Sequence, residues 1–165
     1  VLARPRPGGR LERATLEALA ADPTLKYEPE VVLGSLARRL PQVLQAGPWA
    51  ILHRVLIDPP RSVAALAERE GYSRRGLCEA FRRAALPSPA RWVRLARLLP
   101  AVRALQVEHC TVAEAARRCG WTDPFTLSQS LARATGLRPS VARRLGLGPV
   151  LEGWLQRSIR RPART

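Results

Sequence analysis

Methionine is absent from this chain of 165 residues, lysine occurs once, at Lys26, and only 5% of the residues are aromatic. Cysteine occurs three times, at Cys78, Cys110 and Cys119. An odd number without a Cys-x-x-Cys spacing indicates neither a disulfide framework nor a zinc site. No apolar run approaches the roughly 20 residues that span a bilayer, and the N-terminus lacks the apolar core of a secretory signal. A reducing cytoplasm is the expected compartment. The opening valine fits a piece of a longer chain.

Acidic residues are also scarce: 13 against 28 basic ones, for a formal net charge of +15. The excess is localised. Residues 61–144 hold 16 arginines against six acids, whereas residues 1–60 hold eight cations against six acids. Localised positive charge of this kind is a phosphate-binding footprint. The competing reading is a solvated surface in an arginine- and alanine-biased composition. A membrane-surface role fits less well, because the arginines fall within motif helices and not along one amphipathic face.

That basic region contains one pattern written twice. Ser62-Val63-Ala64-Ala65-Leu66-Ala67, then Gly71-Tyr72-Ser73, then Leu77 and Phe81 form the first copy. Thr111-Val112-Ala113-Glu114-Ala115-Ala116, then Gly120-Trp121-Thr122, then Leu127 and Leu131 form the second. Each reads as a short helix, a turn at a glycine and an aromatic, and a second helix. This is a helix-turn-helix layout, whose second helix can enter a DNA major groove. Two copies predict an all-α fold of two helix-turn-helix subdomains, over 62–84 and 111–135, joined by a linker helix and preceded by extra N-terminal helices.

The start signals are stronger in the second copy. Thr111 and Glu114 form a capping box, and Asp123-Pro124 places a good N-cap before a proline at the first helical position. In the first copy, Ser62 and Ser73 are N-cap candidates and Gly71 supplies a positive-φ turn. The linker helix is expected over 89–105, with Trp92, Leu95, Leu98, Leu99 and Val102 as its apolar side and a kink at Pro100. A packing helix is expected over Trp49–Ile57. Further upstream the pattern suggests a Pro/Gly-rich tail over 1–9, a weak helix over 10–21 and a helix from Pro29 through Leu40 that Pro41 kinks or ends. After Arg144, Gly146, Gly148 and Pro149 are expected to break the chain before a short basic helix or tail. The domain reading is therefore 1–46 as linker, dimerisation element or remnant of a sensory domain, 47–146 as the bipartite unit, and 147–165 as a basic C-terminal segment.

Residues 50–144 resemble the DNA-binding domain of the AraC/XylS transcription regulators. The resemblance rests on Val63-x-x-Leu66-Ala67, Gly71-Tyr72-Ser73 with Leu77 and Phe81, Ser88-Pro89, Arg97-Leu98-x-x-Ala101, Ala115-Ala116-x-x-x-Gly120, Asp123-Pro124, Gly136-Leu137-x-Pro139 and Arg143, in that order. It implies an all-α bipartite DNA reader in bacterial transcription, associated with the nucleoid. Trp121 replaces the usual phenylalanine, and Leu127 and Leu131 replace aromatics. Leu86 stands where a glycine is usual, so the first recognition helix is expected to end without a positive-φ cap.

With Leu77 and Phe81 facing inward, position-matching to the family puts Arg75, Cys78, Glu79 and Arg82 nearest the base edges. Arginine can bond guanine O6 and N7, and glutamate can accept from cytosine N4. Equally open are phosphate contact by Arg75 and Arg82, and orientation of a neighbouring arginine by Glu79. In the second copy the readers are Phe125, Ser128 and Gln129, with Gln129 suited to adenine. Ser73, Arg74, Arg83, Thr122, Ser130 and Arg133 are candidate phosphate ligands.

The expected partner is double-stranded DNA, with a monomer or a homodimer through the N-terminal region. No cofactor or metal is expected. An alternative is a protein-interaction module, for example for RNA polymerase, with only non-specific DNA affinity. No enzyme is expected. Cys78 would need a histidine base, and His53 falls in the packing helix and His109 beside Cys110. Cys110 and Cys119 read as small buried residues.

Overall fold

The computed structural model describes residues 27–159, so the expected tail over 1–9, the weak helix over 10–21 and the terminal Arg160, Arg161 and Arg164 lie outside the described residues. Among the described residues there are nine α-helices, one short 3-10 turn and no strand. The chain divides into two compact units at Ser88 and Pro89. The division falls inside the span 47–146 expected as one domain. It groups the N-terminal helices with the first helix-turn-helix and the C-terminal helix with the second.

In the first unit, α1 (Pro29–Ala37) opens on a proline whose missing N–H costs nothing at that position. It buries Val31, Val32, Leu33 and Leu36. The helix stops at Ala37, three residues short of Leu40, and Pro41 begins the 3-10 turn Pro41–Leu44. Next, α2 (Ala46–Ile57) buries Trp49, Leu52 and Val55 at three-residue spacing. It begins three residues before Trp49, because Pro48 falls in the first turn, where helices tolerate it.

The first helix-turn-helix consists of α3 (Val63–Arg69) and α4 (Arg74–Arg83). The Ala65 amide donates to Ser62 Oγ at 3.1 Å, and the Gly76 amide to Ser73 Oγ at 3.0 Å. Gly71, at φ +74°, lets the Tyr72 amide reach back to the Ala67 carbonyl at 2.8 Å. The end of α4 corrects the expectation of a missing cap. Ala85 takes the left-handed conformation at φ 53°, its amide donates to Arg82 O, and the Leu86 amide donates to Phe81 O at 3.0 Å. That is a Schellman closure, completed by the buried pair Phe81 and Leu86. Gln42 Nε2 donates to the carbonyl of Ala85 at 2.8 Å, tying the N-terminal segment to this cap.

In the second unit, α5 (Pro89–Gln106) continues through Pro100 without interruption. Pro100 is exposed while Leu98, Leu99, Ala101 and Val102 on either side are buried, so flanking packing holds the helical course. The second helix-turn-helix consists of α6 (Val112–Arg118) and α7 (Pro124–Thr135). Thr111 and Glu114 form the reciprocal capping box, and the Thr126 amide donates to Asp123 Oδ1 at 2.8 Å. Gly120, at φ +71°, repeats the role of Gly71, with the Trp121 amide on Ala116 O at 2.9 Å. Both recognition helices are thus capped by a side chain, although the second shows the stronger start signals in sequence.

Two further helices close this unit: α8 (Pro139–Leu145) and α9 (Leu147–Ile159). Gly146, at φ +85°, breaks the chain, but Gly148 and Pro149 do not. They lie in the first turn of α9, where a proline fits. The helix is part of the unit's core: Trp154 meets Trp92 edge-on at 4.8 Å between ring centroids, and its Nε1 donates to Arg91 O at 3.2 Å.

Candidate nucleic-acid interface

Each recognition helix buries one face and leaves the other open. In α4, Leu77 and Phe81 are buried, four residues apart, which turns Arg74, Arg75, Cys78, Arg82 and Arg83 toward solvent. Arg74 and Arg75 have neither a hydrogen-bond nor an ion-pair partner among the described residues. Glu79 is half-buried between the other arginines. Its Oε2 accepts Arg82 Nε at 3.0 Å, and its Oε1 accepts Arg82 Nη2 at 2.6 Å and Arg83 Nε at 3.3 Å. The Arg82 donors hold the Glu79 carboxyl below the usual carboxylate range, so it is anionic at neutral pH. Glu79 thus engages both neighbouring arginines in this geometry. Ser73, a candidate phosphate ligand, already accepts the Gly76 amide, and its hydroxyl hydrogen remains available.

The second face carries less charge. Phe125 is 69% exposed, and Gln129 and Arg133 are also exposed. Ser128 is half-buried and donates its hydroxyl to Pro124 O at 2.8 Å, so toward a base it retains acceptor capacity only. Thr122 is exposed and Ser130 half-buried. Asp123 caps the helix with both oxygens, the second accepting Thr126 Oγ1 at 2.7 Å. The hydroxyl and amide of Thr126 hold its carboxyl below the usual range. The same effect operates at Glu114, through the amide and then the hydroxyl of Thr111. Both acids therefore stay anionic at helix N-termini, where negative charge is favourable.

Several supporting contacts had no signal in the sequence. The Arg97 guanidinium lies over the Trp121 ring, 5.0 Å from its centroid, and so pins the turn of the second motif to α5. Arg143 Nη2 donates to Cys110 O, and Gln106 Nε2 to Ala142 O at 2.6 Å, joining α8 to the end of α5 and the loop after it. In the first unit Glu70, whose side chain is only 6% exposed, takes a two-pronged bond from Arg54 at 3.1 and 2.5 Å. These pairs are remote in sequence, and no periodicity links them.

Cys110 is buried, Cys119 only half-buried and Cys78 exposed. Burial pushes the Cys119 thiol up, away from the reactive thiolate. Among the described residues, no group of three or more His, Cys, Asp or Glu is placed to hold a metal ion, and no helix is long and apolar enough to cross a membrane.

A protein-family model described as a helix-turn-helix domain matches residues 66–145. No curated protein and no solved structure matches the chain. The matched span runs from inside α3 to the end of α8 and so includes both capped helix pairs and the helix between them. Residues 66–145 are an AraC/XylS-type helix-turn-helix domain, a DNA-binding domain of transcription regulation.

Proposed function

We propose that this chain is a sequence-specific transcription regulator that inserts α4 and α7 into successive major-groove segments of double-stranded DNA. The observation that carries this reading is the open face of α4, where Arg74 and Arg75 stand exposed, without partners among the described residues, opposite the buried Leu77 and Phe81. A guanidinium so placed, at the capped start of a recognition helix, suits the guanine O6/N7 edge.

Arg75 is the principal reader, with Cys78 beside it, and Arg82 reads when Glu79 releases it. Gln129 suits adenine and Phe125 a thymine methyl, with Ser128 as an acceptor at the same edge. Ser73, Arg74, Arg83, Thr122, Ser130 and Arg133 bind phosphate. The first unit does most of the reading, because its open face carries four arginines and that of α7 carries one.

The test is selection of bound duplexes from a random library. Two enriched half-motifs about 10 bp apart are expected. Salt-dependent binding without any enriched motif would replace this reading with a protein-interaction module that touches DNA only non-specifically.

A further inference from the structure

The arginines of α4 are not equivalent. Arg74 and Arg75 have no partner among the described residues, whereas Arg82 and Arg83 share one carboxylate, the only one on the helix, at 2.6, 3.0 and 3.3 Å. We propose that Glu79 is a specificity-determining residue, which competes with DNA phosphate for Arg82 and Arg83 and yields them only where the base sequence offers its carboxylate a new donor. The proposal rests on the DNA-reading function above.

The argument is one of exchange. A phosphate that takes the Nε–Nη2 edge of Arg82, or the Nε of Arg83, must displace a partner already bonded, and it leaves an anion facing the DNA backbone. Non-specific complexes all meet that exchange, and nothing in the backbone compensates it. At a sequence that presents a cytosine N4 amine to the groove, the released carboxylate regains a hydrogen bond. The guanidinium is then free for guanine or phosphate. Glu79 thus supplies a repulsive element against wrong sequences as well as an attractive one toward the right site.

The experiment measures binding of the full chain to a random-sequence duplex and to its selected sequence across a salt series. Glu79→Gln keeps side-chain length and polarity but removes the charge. Glu68→Gln is the control, since Glu68 is an exposed carboxylate on α3 without a partner among the described residues. Glu79→Gln is expected to tighten random-duplex binding about two- to five-fold. The log–log salt slope should steepen by about 0.9 for each phosphate gained. The ratio of selected to random affinity should fall, Glu68→Gln should show none of these effects, and an R82A/R83A background should abolish them.

Equal effects from the two Gln variants, or an effect that survives in the R82A/R83A background, would reduce Glu79 to a general charge and overturn the proposal. A wild-type chain that binds no duplex at low salt would overturn both the proposal and the functional reading. Salt-dependent wild-type binding with an inert Glu79→Gln would overturn the proposal alone.

Discussion

The backbone of Gly153 lies against the carbonyl of Thr135 so closely that a Cβ on Gly153 would sit 2.1 Å from the Thr135 oxygen and 3.1 Å from its carbonyl carbon. Thr135 ends the second recognition helix and is itself buried, with its hydroxyl on Leu131 O and the Leu137 amide on that hydroxyl. Neither side can give way without moving backbone. Gly153→Ala should therefore destabilise the second unit by about 1–3 kcal/mol. Gly148→Ala, in the same helix with nothing near its Cβ position, should be neutral or stabilising by up to about 1 kcal/mol. Urea unfolding followed by tryptophan fluorescence separates the two, and equal midpoints would remove the steric argument.

Ala85 holds a left-handed backbone that alanine adopts at a cost, whereas Gly71 holds a similar one without it. Ala85→Gly should raise stability by up to about 1 kcal/mol, less than the full strain because glycine also loosens the unfolded chain. Gly71→Ala should lower it by about 1 kcal/mol. Thermal unfolding of the two variants should thus move in opposite directions. A shared direction would show that the φ at these turns is not what decides them.

Glu70 gives the first unit an acid-sensitive element. The Arg54 hydrogen bonds, and secondarily the charges of Arg54 and Arg69, hold its carboxyl below the usual range despite the opposing effect of burial. Because the folded value is depressed, the stabilisation is complete above the ordinary glutamate range, about pH 4.3. It is lost as the pH falls through the lower folded value. Glu70→Gln should cost about 1–2 kcal/mol at pH 7 and flatten the decline of stability on the acid side. A variant whose unfolding midpoint still tracks pH as the wild type does would assign that decline to other carboxylates.

Arg75 and Arg133 should fail differently toward DNA. Replacing Arg75 with Ala should cost about 1–3 kcal/mol at the selected sequence and relax preference at one base pair. Replacing Arg133 should weaken all sequences alike and lower the salt slope by about 1. Binding titrations against a panel of single-base variants distinguish them. Uniform loss for Arg75→Ala would reassign it to phosphate.

The local architecture was legible because its signals are local. Hydroxyl or carboxylate caps at Ser62, Ser73, Thr111 and Asp123, glycines at 71 and 120, and apolar pairs four residues apart each act within one or two helical turns. The end of α4 departs from the sequence expectation for a related reason. The left-handed residue is Ala85, and its conformation is held by the Leu86 amide on the Phe81 carbonyl and by Gln42 from 43 residues away. Gly148 and Pro149 are breakers by intrinsic preference, but their position in the first turn of α9 overrides it.

The two helix-turn-helix units, the turns between their helices, and the basic face opposite Leu77 and Phe81 all follow from helical periodicity and capping within short windows. Packing between helices, by contrast, sets which distant partners the other arginines engage. Arg97 is drawn onto Trp121 and Arg54 is held by Glu70, whereas the pairs of Glu79 with Arg82 and Arg83 lie three and four residues apart on one helix and follow from its periodicity. Packing likewise decided that the segment after Gly146 is a core helix seated on Thr135. A guanidinium's charge is written in the chain, but its partner is set by which side chains the packed backbone brings within hydrogen-bond reach.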